Sequence, residues 1–177
     1  AALALCPAAA FANQATPAPE TPDPVWAFEA SDIPVDPEFR FGVLDNGMRY
    51  VLRQNATPAG TAVVRLHIGS GSLDENETER GLAHFLEHMA FNGSKRIPEG
   101  EMVKLLEREG LAFGADTNAS TGLEQTVYRL DLPRNDPNLL ETVLMLMRET
   151  ASELLIEQDA VVRERGIILA ERRDRTN

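Results

Sequence analysis

His84-Phe85-Leu86-Glu87-His88 is the run of this sequence whose residue types and spacing can do chemistry. In a helix of 3.6 residues per turn, positions i, i+3 and i+4 share one face, so His84, Glu87 and His88 point the same way. Two imidazoles one turn apart can hold one metal ion, and the carboxylate beside the second can reach a water on that ion. Zinc suits this donor set: it is borderline-soft, takes histidine nitrogens and carboxylate oxygens, and leaves a fourth position to water. Zinc lowers the pKa of that water toward about 7, and Glu87 can then take its proton as general base.

The competing reading is a helix that happens to carry two unrelated histidines. Leu82, Phe85, Leu86, Met89 and Phe91 surround the motif, which predicts a buried helix. Two buried imidazoles beside a carboxylate are costly unless a cation compensates them, and this favours a metal. His67 shares the polar side of its strand with Arg65 and reads as a surface histidine.

A tetrahedral site needs one more protein ligand, and the last helical stretch offers Glu164 and Glu171. Seven residues apart, they lie two turns apart and within about 20° around the helix axis. Ala160, Val161, Ile167 and Ile168 flank them, and two carboxylates on an apolar stripe are costly without a cation. Exposed helix charges among Arg163, Arg165 and Arg172 are the alternative.

The elements that must position these groups follow from local pattern. Strands are predicted over 39–44 and 48–53 around Asp45-Asn46-Gly47, where Asn-Gly favours a type I′ turn with both central residues at positive φ. The stretch 61–69 alternates, with Val64, Leu66 and Ile68 on one face and Val63, Arg65 and His67 on the other, as in a half-buried strand. An acidic cluster, Asp74, Glu75, Glu77 and Glu79, reads as the entry of a helix over about 80–91. A second helix is predicted over 99–109, ending at Gly110, then strands over 112–119 and 125–132. Asp136 should cap a helix reaching about Leu154, and another helix starts near Glu157. Three strands, two helices, two strands and two helices make an α+β fold, with helices packed on a mainly antiparallel sheet.

Composition narrows the functions. The chain has 177 residues, 43% hydrophobic and 25% charged, an ordinary globular balance. A net charge of −11 argues against a nucleic-acid partner, because phosphates call for the opposite sign. No apolar run is long enough to span a bilayer. A single cysteine excludes an intrachain disulfide and a cysteine-built zinc site, and with three histidines there is no cluster for metal storage or sensing.

Residues 1–12 are small and apolar and close on Ala10-Phe11-Ala12, like the end of a secretory signal peptide, so a periplasmic or secreted protein is expected. Pro17, Pro19, Pro22 and Pro24 make 13–24 an extended linker, and the folded domain, 25–177, should begin near Val25. Both ends read as cut, as in part of a longer protein.

Taken with its surroundings, the motif resembles the pitrilysin or M16 zinc peptidases, whose inverted signature is H-x-x-E-H. Gly81-Leu82-Ala83 precedes it and Met89-Ala90-Phe91-Asn92-Gly93 follows. Gly114-Ala115-Asp116-Thr117-Asn118-Ala119, Thr126-Val127-Tyr128, and Glu164-Arg165-Gly166 with Glu171 complete the likeness, which runs from about Phe39 onward and is nearest the bacterial periplasmic members. The resemblance implies a zinc endopeptidase of short or unfolded peptides, built of repeated α+β domains that close around the substrate. This chain would be most of the first domain, with the remaining domains of the same chain as its partners. A non-catalytic structural or peptide-binding relative is the other reading; such relatives have broken zinc motifs, and here the motif is intact.

In much of the family the third ligand follows the second histidine by 76 positions, a count that lands on Glu164. The family ligand also closes the local pattern E-R-G, apolar residues, E, which points to Glu171, the seven extra residues being absorbed around 95–110 and 133–139. Loops tolerate insertion, so the local pattern is followed. The resemblance thus implies zinc held by His84, His88 and Glu171, with Glu164 supporting from behind. It also implies a substrate-pairing strand edge at Gly114, Asn118 and Ala119.

Overall fold

A computed structural model describes residues 26–112, 114 and 117–175. The signal-peptide remnant and the linker expected before Val25 lie outside the described residues. The chain divides into two compact units between Gln54 and Asn55.

The first unit holds a short 3-10 helix, Ala27–Ala30, and an antiparallel hairpin of β1, Phe39–Val43, and β2, Arg49–Arg53. Trp26 meets Phe41 edge-on at 5.1 Å and Phe28 lies 4.6 Å from Phe41, giving the hairpin an aromatic cluster. The connection differs from the type I′ expectation. Only Gly47 has positive φ (84°), and its N–H bonds the Leu44 carbonyl at 2.8 Å. Asp45-Asn46-Gly47 is therefore a three-residue connection with a single left-handed residue, and Asn46 instead turns its Oδ1 to the Met48 N–H.

In the second unit the order is β3, Ala62–Ile68; α1, Leu82–Met89; α2, Glu101–Arg108; β4, Thr117–Thr121; β5, Thr126–Leu132; α3, Pro137–Ser152; and α4, Gln158–Arg175. The expected succession of strands and helices and the α+β class are both present. The three strands form an antiparallel sheet in the order β3-β5-β4. Central β5 alternates cleanly, with Thr126, Tyr128, Leu130 and Leu132 buried on one face. Leu66 of β3, Met102 and Leu106 of α2, and Leu139, Val143 and Leu146 of α3 complete the core. Each fully buried leucine there contributes about 1.5–3 kcal/mol.

α3 begins where Asp136 accepts hydrogen bonds from the Asn138 and Leu139 N–H groups, at 2.8 and 3.0 Å, with Pro137 in the first turn. It stops at Ser152 rather than Leu154, because Leu154 pairs instead with Ser94. The strand expected over 112–119 begins only at Thr117. Gly114 sits in a turn at φ +89°, a conformation that ends extended backbone, and so lies outside β4.

Candidate metal and catalytic site

α1 carries His84, Glu87 and His88 and is anchored from both ends. Of the four acidic residues expected at its entry, Glu75 does the capping: its two oxygens accept the Gly81 and Ala83 N–H groups at 2.6 and 2.7 Å. Asp74 instead bonds the Gly71 N–H. At the far end Asn92 Nδ2 donates to the His88 carbonyl at 3.0 Å. α1 is shorter than the predicted 80–91 and less buried than its apolar residues imply. Met89 and Ala90 are fully covered, while Leu82 and Leu86 are 49% and 44% exposed; among the described residues the main packing partners of α1 are α4, β4 and β5.

α4 lies along α1. Its inner face is Ala160, Glu164, Ile168 and Glu171, at spacings of four, four and three; Ile167, expected to flank the glutamates, is half exposed on another side. Glu164 Oε2 stands 2.9 Å from His88 Nδ1. Glu171 reaches past it to the other ring nitrogens, 3.5 Å from His84 Nε2 and 3.8 Å from His88 Nε2. The two Nε2 atoms are 3.2 Å apart. The two glutamates thus occupy different positions: Glu164 meets the back of one imidazole, and Glu171 meets the front of both.

The donor set fits zinc. His84, His88 and Glu171 each offer one ligand atom, all within 4.8 Å of one another. Two atoms bound at 2.0–2.1 Å to a tetrahedral ion stand about 3.4 Å apart, close to the separations here. A His88 Nδ1–H donated to Glu164 leaves Nε2 as the lone-pair donor.

Glu87 turns toward the sheet. Its Oε2 accepts the Thr121 hydroxyl at 2.5 Å, and Thr121 faces its cross-strand partner Thr126, whose hydroxyl donates to the Ser70 carbonyl at 3.1 Å. The Glu87 charge is felt by Tyr128, whose hydroxyl is pushed up to about 12, first by burial and then by that carboxylate. Sequence pattern places Glu75 in the helix-entry cluster and Thr126 in a strand mark of the family, but gives neither its partner here and does not single out Thr121. The available signal was the pairing of two threonines across the β4–β5 turn, on the same sheet face as Tyr128.

β4 pairs with β5 along one side and is the outer strand of its sheet. Asn118 is exposed and Ala119 half-buried, and the Ala119 N–H is taken by the Asn118 side-chain oxygen at 2.8 Å. His67 is exposed, with Nε2 2.7 Å from Gln125 Oε1.

Comparison with known proteins gives the family. The family described as Insulinase (Peptidase family M16) matches residues 50–176. The chain is 38% identical over 145 residues to the probable zinc protease PqqL of Haemophilus influenzae, covering 82% of this chain and 16% of that protein. It is 41% identical over 140 residues to the beta subunit of the bovine mitochondrial-processing peptidase, covering 76% of this chain and 26% of that protein. The crystal structure of the first half of the periplasmic protease PqqL from Escherichia coli superposes with a TM-score of 0.79 at 38% identity, over 82% of this chain and 31% of that one. The chain therefore spans about a sixth of the length of the PqqL relatives it matches.

Proposed function

The chain belongs to the M16 (insulinase) peptidase family, and from that premise we propose that it carries the catalytic half-site of a zinc-dependent endopeptidase acting on short or unfolded peptides. The observation that carries the reading is the convergence of His84 and His88, on the helix that also presents Glu87, with Glu171 of α4. His84, His88 and Glu171 would hold the zinc. When bound, the ion supplies Lewis acidity, lowering the pKa of water toward about 7 and polarising the scissile carbonyl.

Three further roles fall to the chain's own residues. Glu87 takes a proton from the attacking water and returns it to the leaving amine. Glu164 fixes the His88 ring through Nδ1 and sets which nitrogen faces the metal. The outer edge of β4, at Asn118 and Ala119, pairs with an extended peptide through main-chain hydrogen bonds, and Gly114, three residues before the strand in sequence, is assigned to the same substrate site. Such pairing tolerates many sequences, since each residue offers the same donor and acceptor.

Residues 25–177 belong on this reading to the first domain of a longer protein, whose other domains complete the substrate chamber. Residues 1–12 are the end of a signal peptide and 13–24 a linker, which places the protein in the periplasm or outside the cell. No helix among the described residues is long and apolar enough to cross a membrane.

The test is a peptide-cleavage assay on the full-length protein. Chelation should abolish cleavage and zinc should restore it. Glu87→Gln keeps shape but cannot accept a proton, so it should retain about one zinc per chain and lose about 10²–10⁴-fold in kcat. Turnover like the wild type in that variant would place the base elsewhere.

A further inference from the structure

We propose that Thr121 is the positioning residue of the general base: its hydroxyl holds one oxygen of Glu87 so that the other is left to handle the proton. The inference rests on the reading of Glu87 as that base and extends it to a residue on a different element.

The geometry is a relay of three strand ends beneath α1. Thr121 closes β4, Thr126 opens β5, and Ser70 follows the end of β3. Thr126 is buried, and its hydroxyl hydrogen is committed to the Ser70 carbonyl at 3.1 Å. Its oxygen lies 3.5 Å from that of Thr121. With Thr126 so committed, the Thr121 hydroxyl has one hydrogen to give, and Glu87 Oε2 at 2.5 Å is the acceptor that receives it. Glu87 Oε1 makes no hydrogen bond to the described residues.

A glutamate has three side-chain torsions, and a base that must meet a water within hydrogen-bond reach loses rate if it samples them freely. The Thr121 bond removes that freedom. It is itself held rigid, because Thr121 and Thr126 are direct partners in the ladder and threonine is stiff about its first torsion. During proton transfer the proton goes to Oε1 while Oε2 keeps the Thr121 hydroxyl. β4 therefore does two things: its outer edge pairs with substrate and its last side chain aims the base. Substrate and base are thereby placed by one strand.

The experiment compares Thr121→Val, Thr121→Ser and Glu87→Gln in the full-length protein, reading kcat and KM for peptide cleavage, zinc affinity by titration of the metal-free protein, and thermal melting of that metal-free form. Valine keeps the shape and β-branching of threonine without the hydroxyl. It should lower kcat about 10- to 100-fold, leave KM within about twofold, and leave zinc affinity and melting temperature near wild type. Serine restores the hydroxyl and should recover most of the lost kcat. Wild-type kcat in Thr121→Val, with Glu87→Gln inactive, overturns the positioning role while leaving the base assignment intact. Equal losses in valine and serine, or a loss of zinc affinity in either, would make Thr121 a structural residue and also overturn it. An active Glu87→Gln would instead remove the premise.

Discussion

Glu149 and Glu171 are two carboxylates on neighbouring helices with opposite settings. Glu149, on α3, is fully buried and supplied with donors by the protein itself. One of its oxygens accepts the Ser94 hydroxyl and the Arg96 N–H, each at 3.0 Å, and the guanidinium groups of Arg148 and Arg96 stand 3.4 and 3.6 Å from the other. Those contacts fasten the loop after α1 to α3, beside the Ser94–Leu154 bridge. Glu171 is about a third exposed and faces the Nε2 atoms of His84 and His88. The contrast separates two uses of a buried or half-buried charge. A carboxylate ringed by N–H and O–H donors is structural. A carboxylate converging with two imidazole nitrogens is the arrangement of a ligand set, and on the proposed reading a cation would offset the cost of assembling it.

The contrast breaks most visibly at the histidines. His84→Ala and His88→Ala should each remove the zinc and with it nearly all peptidase activity, while the Glu149 cluster and the folded core stay intact. Metal analysis of the purified variants checks this, and full zinc occupancy in both would undo the site assignment. Next in size is Ala119→Pro on β4. It deletes the one N–H that Asn118 covers at the outer strand, so KM should rise far more than zinc content changes. Steady-state kinetics alongside metal analysis make the comparison, and an unchanged KM would show that the peptide does not pair there.

Smallest, and confined to stability, is Glu149→Gln. Burial alone would push the Glu149 carboxyl up, but the Arg96 N–H, the Ser94 hydroxyl and the two arginine charges outweigh it and hold the group below its ordinary value. A lowered folded-state value means the stabilisation is fully present above the unfolded value, about 4.5, and is lost as the pH falls through the folded one. Glu149→Gln should melt several degrees lower than wild type at pH 7, and the gap should close on acidification below pH 4. A gap that widens in acid would contradict the assignment, and at pH 7 the zinc content of Glu149→Gln should match that of the wild type.

The sequence carried the parts of this picture that depend on local spacing. H-x-x-E-H on a helix, and two glutamates two turns apart, need only the helical period to be placed on one face each. The order of strands and helices follows from the same local pattern and from Asp136 as a cap. What was not legible depends on which segments meet. The start of β4 at Thr117 is set by its register with β5 across the 122–125 turn, and the Gly114 turn falls within the stretch expected as strand over 112–119. The role of Glu75 at α1 spans six to eight residues of loop, and that of Thr121 spans 34 residues to Glu87. The burial of α1 was overestimated for a similar reason, since an apolar sequence states which side chains could be covered and not what is there to cover them.

Glu164 and Glu171 bring both kinds of information to one decision. Counting along the chain selects Glu164, and the local pattern selects Glu171. The three-dimensional arrangement sets Glu171 among the ring nitrogens and Glu164 behind His88. Titrating zinc into the metal-free Glu171→Gln and Glu164→Gln proteins is the most direct test of the account. Glu171→Gln should lose zinc affinity steeply, because the site keeps only its two histidines. Glu164→Gln should bind about 10–100-fold more weakly and still fill at saturating metal. The reverse result, with metal lost in Glu164→Gln and kept in Glu171→Gln, would contradict it.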